Sequence, residues 1–179
     1  MKKLCSVVVV ILALLVTAVF AAAAPQTEKE IQSIRQTYAA TNRKLARYKK
    51  VKKDLSGFSA EGGELIAYFD GPAIVKIAVT HYGEMGKYYE DYYYREGKLV
   101  FVFRKITKYN RPLTGKVIST ALSRFYFHDD KLIRWIDEQG KLVSSTSSEF
   151  AKQQDEYLKS SKQFTDGARS GKSEIEADQ

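Results

Sequence analysis

Hydrophobic and polar positions follow different rhythms along the chain. From Val7 to Phe20 it is almost unbroken Val, Leu, Ile and Ala, preceded by Lys2 and Lys3 and followed by the small residues Ala21 to Ala24. A positive start, an apolar centre and an A-x-A end are the parts of a secretory signal peptide. The pattern predicts cleavage after Ala23, with Ala21 and Ala23 in the two small-residue positions, and hence a periplasmic or secreted location. The alternative is a retained anchor, because the run from Ser6 to Ala24 approaches the roughly 20 residues that span a bilayer. No positive cluster follows the run closely, which favours cleavage and a mature chain with no stable membrane span.

The next pattern is helical. Thr27-Glu28-Lys29-Glu30 has the S/T-x-x-E form in which a threonine oxygen and a glutamate carboxylate satisfy the free amides of a helix start. Ile31, Ile34, Tyr38, Thr41, Leu45, Tyr48 and Leu55 then recur at spacings of three, four and seven, one apolar stripe that predicts an amphipathic helix ending near Asp54. Acidic residues stand at its start, and Arg43, Lys44, Arg47, Lys49, Lys50, Lys52 and Lys53 crowd its end, in keeping with the helix dipole.

Ser56 to Gly63 is a glycine-containing linker, after which the period falls to two. Short aromatic and β-branched runs predict strands near 64–69, 74–82, 87–95, 99–108, 121–128 and 132–137, with a short seventh beginning at Leu142. Tyr94-Arg-Glu-Gly-Lys-Leu99 and Phe127-His-Asp-Asp-Lys-Leu132 share one plan: an aromatic, a polar turn, then Lys-Leu. This repetition reads as shared hairpin chemistry. Thr146-Ser147-Ser148-Glu149 is a second capping box, opening a helix that reaches about Phe164, and the charged, glycine- and serine-rich stretch 165–179 reads as disordered. The expected organisation is a signal peptide (1–23), one α+β domain (24–164) and a tail (165–179). In that domain an N-terminal amphipathic helix packs on a curved antiparallel meander of about six strands, with a C-terminal helix.

Alternation sorts the strand residues onto two faces. One collects Val75, Ile77, Val79, His81, Tyr88, Glu90, Tyr92, Tyr94, Leu99, Phe101 and Phe103, and is expected to be the core beneath the first helix. The other carries Tyr82, Tyr89 and Tyr93 with Lys76, Arg95 and Arg104, an aromatic and cationic platform that could take a sugar ring or an acidic chain. Tyrosine is also a favoured strand residue, so the platform has a purely structural explanation. His81 and Glu90 fall diagonally adjacent on the apolar face, where burial could turn them into an acid/base pair, although such a pair is more often a satisfied polar contact in a core or at its rim.

Charge and composition narrow the classes. The formal charge of +8 falls to about +6 once Lys2 and Lys3 are removed, which favours anionic surfaces such as an envelope polymer or lipid, with Lys49, Lys50, Lys52 and Lys53 as the contact. Nucleic acid is the least available of these outside the cytoplasm, and the basic cluster lacks the interleaved aromatics that stack bases. Cys5 is the only cysteine and precedes the apolar run, so no lipid anchor, disulfide or thiolate metal site is expected. With His81 and His128 the only histidines, and without a G-x-S-x-G elbow, P-loop, dinucleotide fingerprint or EF-hand loop, no metal or cofactor is indicated.

Across Glu61-Gly-Gly-Glu-Leu-Ile-Ala-Tyr-Phe-Asp-Gly71, Tyr94 to Phe103 and Phe125 to Trp135 the chain resembles small exported bacterial proteins of unassigned function. The resemblance implies a fold type and a compartment, and carries over no catalytic residue. The functional expectation is an exported, non-catalytic binding or interaction protein, whose partner would be an anionic polymer, a glycan or an envelope protein. A small hydrolase or isomerase using His81 and Glu90 is the alternative.

Overall fold

A computed structural model describes residues 26–113 and 115–178; the expected signal peptide and its expected cleavage site lie outside the described residues. Helix α1 spans 26–43. A 3-10 turn at Leu45–Arg47 leads into the strands β1 (Lys49–Ser56), β2 (Gly63–Asp70), β3 (Ala73–Gly83), β4 (Gly86–Arg95), β5 (Lys98–Tyr109), β6 (Val117–His128) and β7 (Lys131–Ile136). Helix α2 (Ser148–Arg169) and strand β8 (Glu174–Glu176) complete the chain. The fold is α+β, as expected: one sheet in the order β7-β6-β5-β4-β3-β2-β1-β8, antiparallel throughout except where β8 runs parallel to β1.

Three elements differ from the sequence reading. The first helix stops at residue 43 instead of near Asp54, and Lys49–Ser56 is a strand. Val51, Lys53 and Leu55 alternate as readily as Leu45, Tyr48 and Leu55 follow a helical spacing, and pairing with β2 along Lys49–Leu55 decides between the two. In the stretch 165–179, α2 continues to Arg169 and β8 buries Ile175 against β1 and α2, so the expected tail begins as ordered structure. Gly167 makes this docking possible, because a Cβ there would stand 2.4 Å from Ile175. At Leu142 there is an isolated bridge to Ile136, not a strand.

The repeated hairpin plan has a structural meaning. Phe69 pairs Ile74, Tyr94 pairs Leu99 and Phe127 pairs Leu132, each pair enclosing one further pair and a two-residue turn at the same end of the sheet. Glu96-Gly97 and Asp129-Asp130 both hold positive φ, as a type I′ turn requires. In each hairpin the returning strand then carries one residue with no partner: Val75, Val100 or Ile133. Such a bulge reverses which side every later residue of the strand faces.

Both faces of the sheet are therefore covered. On one, α2 lays Phe150, Tyr157 and Phe164 over Ile77, Tyr92, Tyr94, Val102, Phe125 and Phe127. Ser147 caps that helix by accepting a hydrogen bond from the Phe150 amide (3.2 Å), one residue later than the expected Thr146. On the other, α1 lays Ile31 and Ile34 over Tyr93, Val100, Phe101 and Tyr126. The expectation that the first helix covers the Ile77/Tyr92 face is corrected: α2 does, and α1 takes the face expected to be open. Lys53, 6% exposed, ties the layers at the far edge by donating to the Ser170 carbonyl (2.9 Å) and the Lys172 carbonyl beyond the C-terminus of α2.

Candidate functional site

The bulge at Val100 decides where the chemistry goes. Because Val100 is extra, Phe101 and Phe103 turn toward α1 and Arg104 turns toward α2, the reverse of simple alternation. The expected tyrosine and basic platform is thereby divided. Tyr93 is 1% exposed beneath α1, where its hydroxyl meets Asn42 and its ring tilts against Tyr38. Burial first, and the Asp91 carboxylate second, push that hydroxyl well above the ordinary tyrosine range. Lys76 is buried beside it in an ion pair with Asp91 (2.8 Å), and Arg95 engages Glu30 (3.7 Å) and Ser33 (2.6 Å) of α1. Only Tyr82 and Tyr89 stay on the uncovered part of that face, stacked with Lys87 and Lys105.

What forms instead is a groove of about 490 Å³ between α1 and the sheet. Its floor is Phe101, Phe103 and Tyr126, with Ile34 and Ile136 beside them. Tyr38 closes one wall with its ring edge-on to Phe101 at 5.6 Å. Two guanidiniums stand over this apolar bed: Arg35, one position after the inward Ile34, and Arg124, 6.0 Å above the Phe103 ring. Arg95, Arg104 and Arg134 are each joined to an acid, whereas no acidic side chain lies within 4 Å of Arg35 or Arg124 among the described residues. Arg134 shares this face with Arg124 but is held by Glu28, whose carboxyl it keeps below the usual range. Trp135 points to the opposite side and stacks on Phe125. Sequence reading missed the groove because Phe101 and Phe103 were assigned to the other face; the signal available was Val100, a β-branched residue just past a turn whose plan occurs twice.

His81 and Glu90 do meet, in a second cleft of about 340 Å³ under α2. The His81 Nε2 lies 3.8 Å from Glu90 Oε2. Glu90 accepts hydrogen bonds from the hydroxyls of Tyr92 (3.0 Å) and Tyr157 (3.2 Å), so its carboxylate links β4 to α2. Burial, with the Glu90 charge second, raises both hydroxyls. Arg104 stands opposite Glu90 in the ladder, yet its contacts go to Gln153 (3.5 Å) and Glu138 (3.6 Å). His81 Nδ1 is buried without a hydrogen-bond partner.

Of the basic cluster expected at the helix end, Arg43 closes α1, Lys44 and Arg47 lie in the turn after it, and Lys49, Lys50, Lys52 and Lys53 belong to strand β1. Lys53 is buried and Lys52 pairs with Glu64 (2.7 Å), which leaves Lys49 and Lys50 of the four lysines without an acidic partner. Among the described residues no group of three or more metal-ligating side chains forms, and no helix is long and apolar enough to cross a membrane. Compared with protein-family models, with curated proteins and with solved structures, the chain matches none.

Proposed function

We propose that the protein is an exported, non-catalytic binding protein whose ligand has an apolar body and an anionic group, seated in the groove between α1 and the sheet. The observation that carries this reading is the pairing of an aromatic floor with two guanidiniums, neither of which has a carboxylate within 4 Å among the described residues; Glu28, paired with Arg134, attracts Arg35 only at longer range. An acyl or aromatic body removed from water on Phe101, Phe103 and Tyr126 contributes roughly 25 cal/mol per Å² of apolar surface. A carboxylate or phosphate at the rim would gain charge-assisted hydrogen bonds from Arg35 and Arg124. Apart from the phenols of Tyr38 and Tyr126 the lining contains no hydroxyl, thiol, amine, carboxylate or imidazole side chain, which supports binding over catalysis at this place. Export is supported by the Lys2/Lys3, Val7–Phe20 and Ala21–Ala24 pattern.

Titration with dodecanoate, followed by calorimetry, tests the reading. Saturable binding of one molecule is expected, weakened about tenfold or more by Arg124→Ala or Phe103→Ala, because each removes a contact of about 1.4 kcal/mol or more. Dodecylamine, with the same chain and the opposite charge, should bind far more weakly. Equal affinity for the two amphiphiles, or indifference to both substitutions, contradicts the proposal.

A further inference from the structure

The sheet leaves two stretches of strand unpaired along their outer sides, and the sequence treats them in opposite ways. β8 joins β1 only at Asp54–Ser56, so Lys49–Lys53 is an open edge in which every residue but Val51 is lysine. β7 joins β6 only at Arg124–His128, so Val117–Ser123 has no strand on its outer side either, and the stretch is open as far as Leu122, Ser123 being 1% exposed. Its sequence, Val-Ile-Ser-Thr-Ala-Leu-Ser, contains no charge, no proline and no glycine. Val117 and Ile118 are 54% and 65% exposed, and no described residue pairs with the outer side of this stretch. Free N–H and C=O groups along an edge are a template for another strand, and lysines are a common means of refusing one. β1 carries that protection and β6 does not.

The charges around the β6 edge select the occupant. Lys105 and Lys108 lie on the adjoining strand, Lys116 precedes the edge and Arg124 follows it; none has an acidic side chain within 4 Å among the described residues. A second copy of the chain, paired antiparallel along the full edge, would set Lys116 against Arg124 of its mate and bring basic hairpins together. An extended segment bearing acidic side chains meets the opposite situation. We infer that the outer edge of Val117–Leu122 accepts an acidic, extended segment of a partner protein as an added β-strand, with backbone hydrogen bonds supplying affinity and Lys105, Lys108 and Lys116 supplying selectivity. This site is separate from the α1 groove and does not depend on its ligand.

The test uses a capped peptide, EVTVEVTVE, titrated into the protein with amide hydrogen exchange as readout. Binding should be saturable and should slow exchange within Val117–Leu122. N-methylation of alternate peptide amides along one edge should abolish binding, while methylation along the other edge should not, a distinction that loose electrostatic association cannot make. Lys108→Glu combined with Lys116→Glu, both at exposed positions, should weaken binding about tenfold or more, and the peptide KVTVKVTVK should bind correspondingly less. Absence of protection in Val117–Leu122, equal effects of the two methylation patterns, or self-association of the protein through this edge would each overturn the inference.

Discussion

Tyr93 and Phe101 face each other across β4 and β5 with ring centroids 5.8 Å apart, and Val100, just before Phe101, has no partner in the ladder. That single extra residue places Phe101 under α1, stacks it on Tyr126 at 4.9 Å, and builds the floor of the groove. Phe101→Ala should therefore lower the free energy of unfolding by about 3–5 kcal/mol, as for other buried phenylalanines. Urea denaturation checks the size, and faster amide exchange in α1 should accompany it. A small loss with α1 unaffected would mean that the helix does not rest there.

The hairpins were legible because their cues are local. Glu96-Gly97 and Asp129-Asp130 announce tight turns, and the runs beside them announce β4, β5 and β7 within a residue or two, whereas β6 begins at Val117, four residues before the expected start at 121. The faces beyond Val100 were not legible, because a period of two carries no record of a skipped partner. Lys49–Ser56 was misread for a different reason: its lysines suit a helix end, and only the pairing with β2, a contact distant in sequence, makes it a strand. The contact of His81 with Glu90 survived because both residues lie before the bulge, on strands whose register follows directly from the Gly83–Gly86 turn.

The C-terminal segment tests the packing at the other edge. Ile175 is buried between β1 and α2, and burial of such a side chain is worth about 1.5–3 kcal/mol. Deleting residues 173–179 should lower the free energy of unfolding by an amount in that range, read as a lower urea midpoint. An unchanged midpoint would show that the segment behaves as a disordered tail.

Glu90 accepts one tyrosine hydroxyl on each carboxylate oxygen. Glu90→Gln keeps one acceptor and turns the other into a donor that faces a donor, so stability should fall by about 1–3 kcal/mol. Tyr157→Phe in the Glu90→Gln background should then cost less than it does in the parent protein. Equal costs in the two backgrounds would dissociate Tyr157 from the carboxylate.

Alkaline pH should weaken the fold through the same residues. Burial raises the hydroxyls of Tyr92, Tyr93, Tyr94 and Tyr157 above the ordinary value of about 10. A raised folded-state pKa means that the neutral form is favoured by folding. The stabilisation is fully present below about pH 10 and is lost as pH climbs above the unfolded value toward the folded one. Tyrosinate absorbance from these four should appear only as the protein unfolds. Ionisation of all twelve tyrosines in one step, with the fold intact, would contradict the burial.

Intermolecular nuclear Overhauser contacts from bound dodecanoate address the groove itself. Methyl and methylene protons should show contacts to the rings of Phe101, Phe103 and Tyr126, and the protons next to the carboxylate should show them to Arg124. Contacts confined to Tyr82 and Tyr89, or to Met85 and Ile118 at the far ends of the hairpins, would contradict a ligand site between α1 and the sheet.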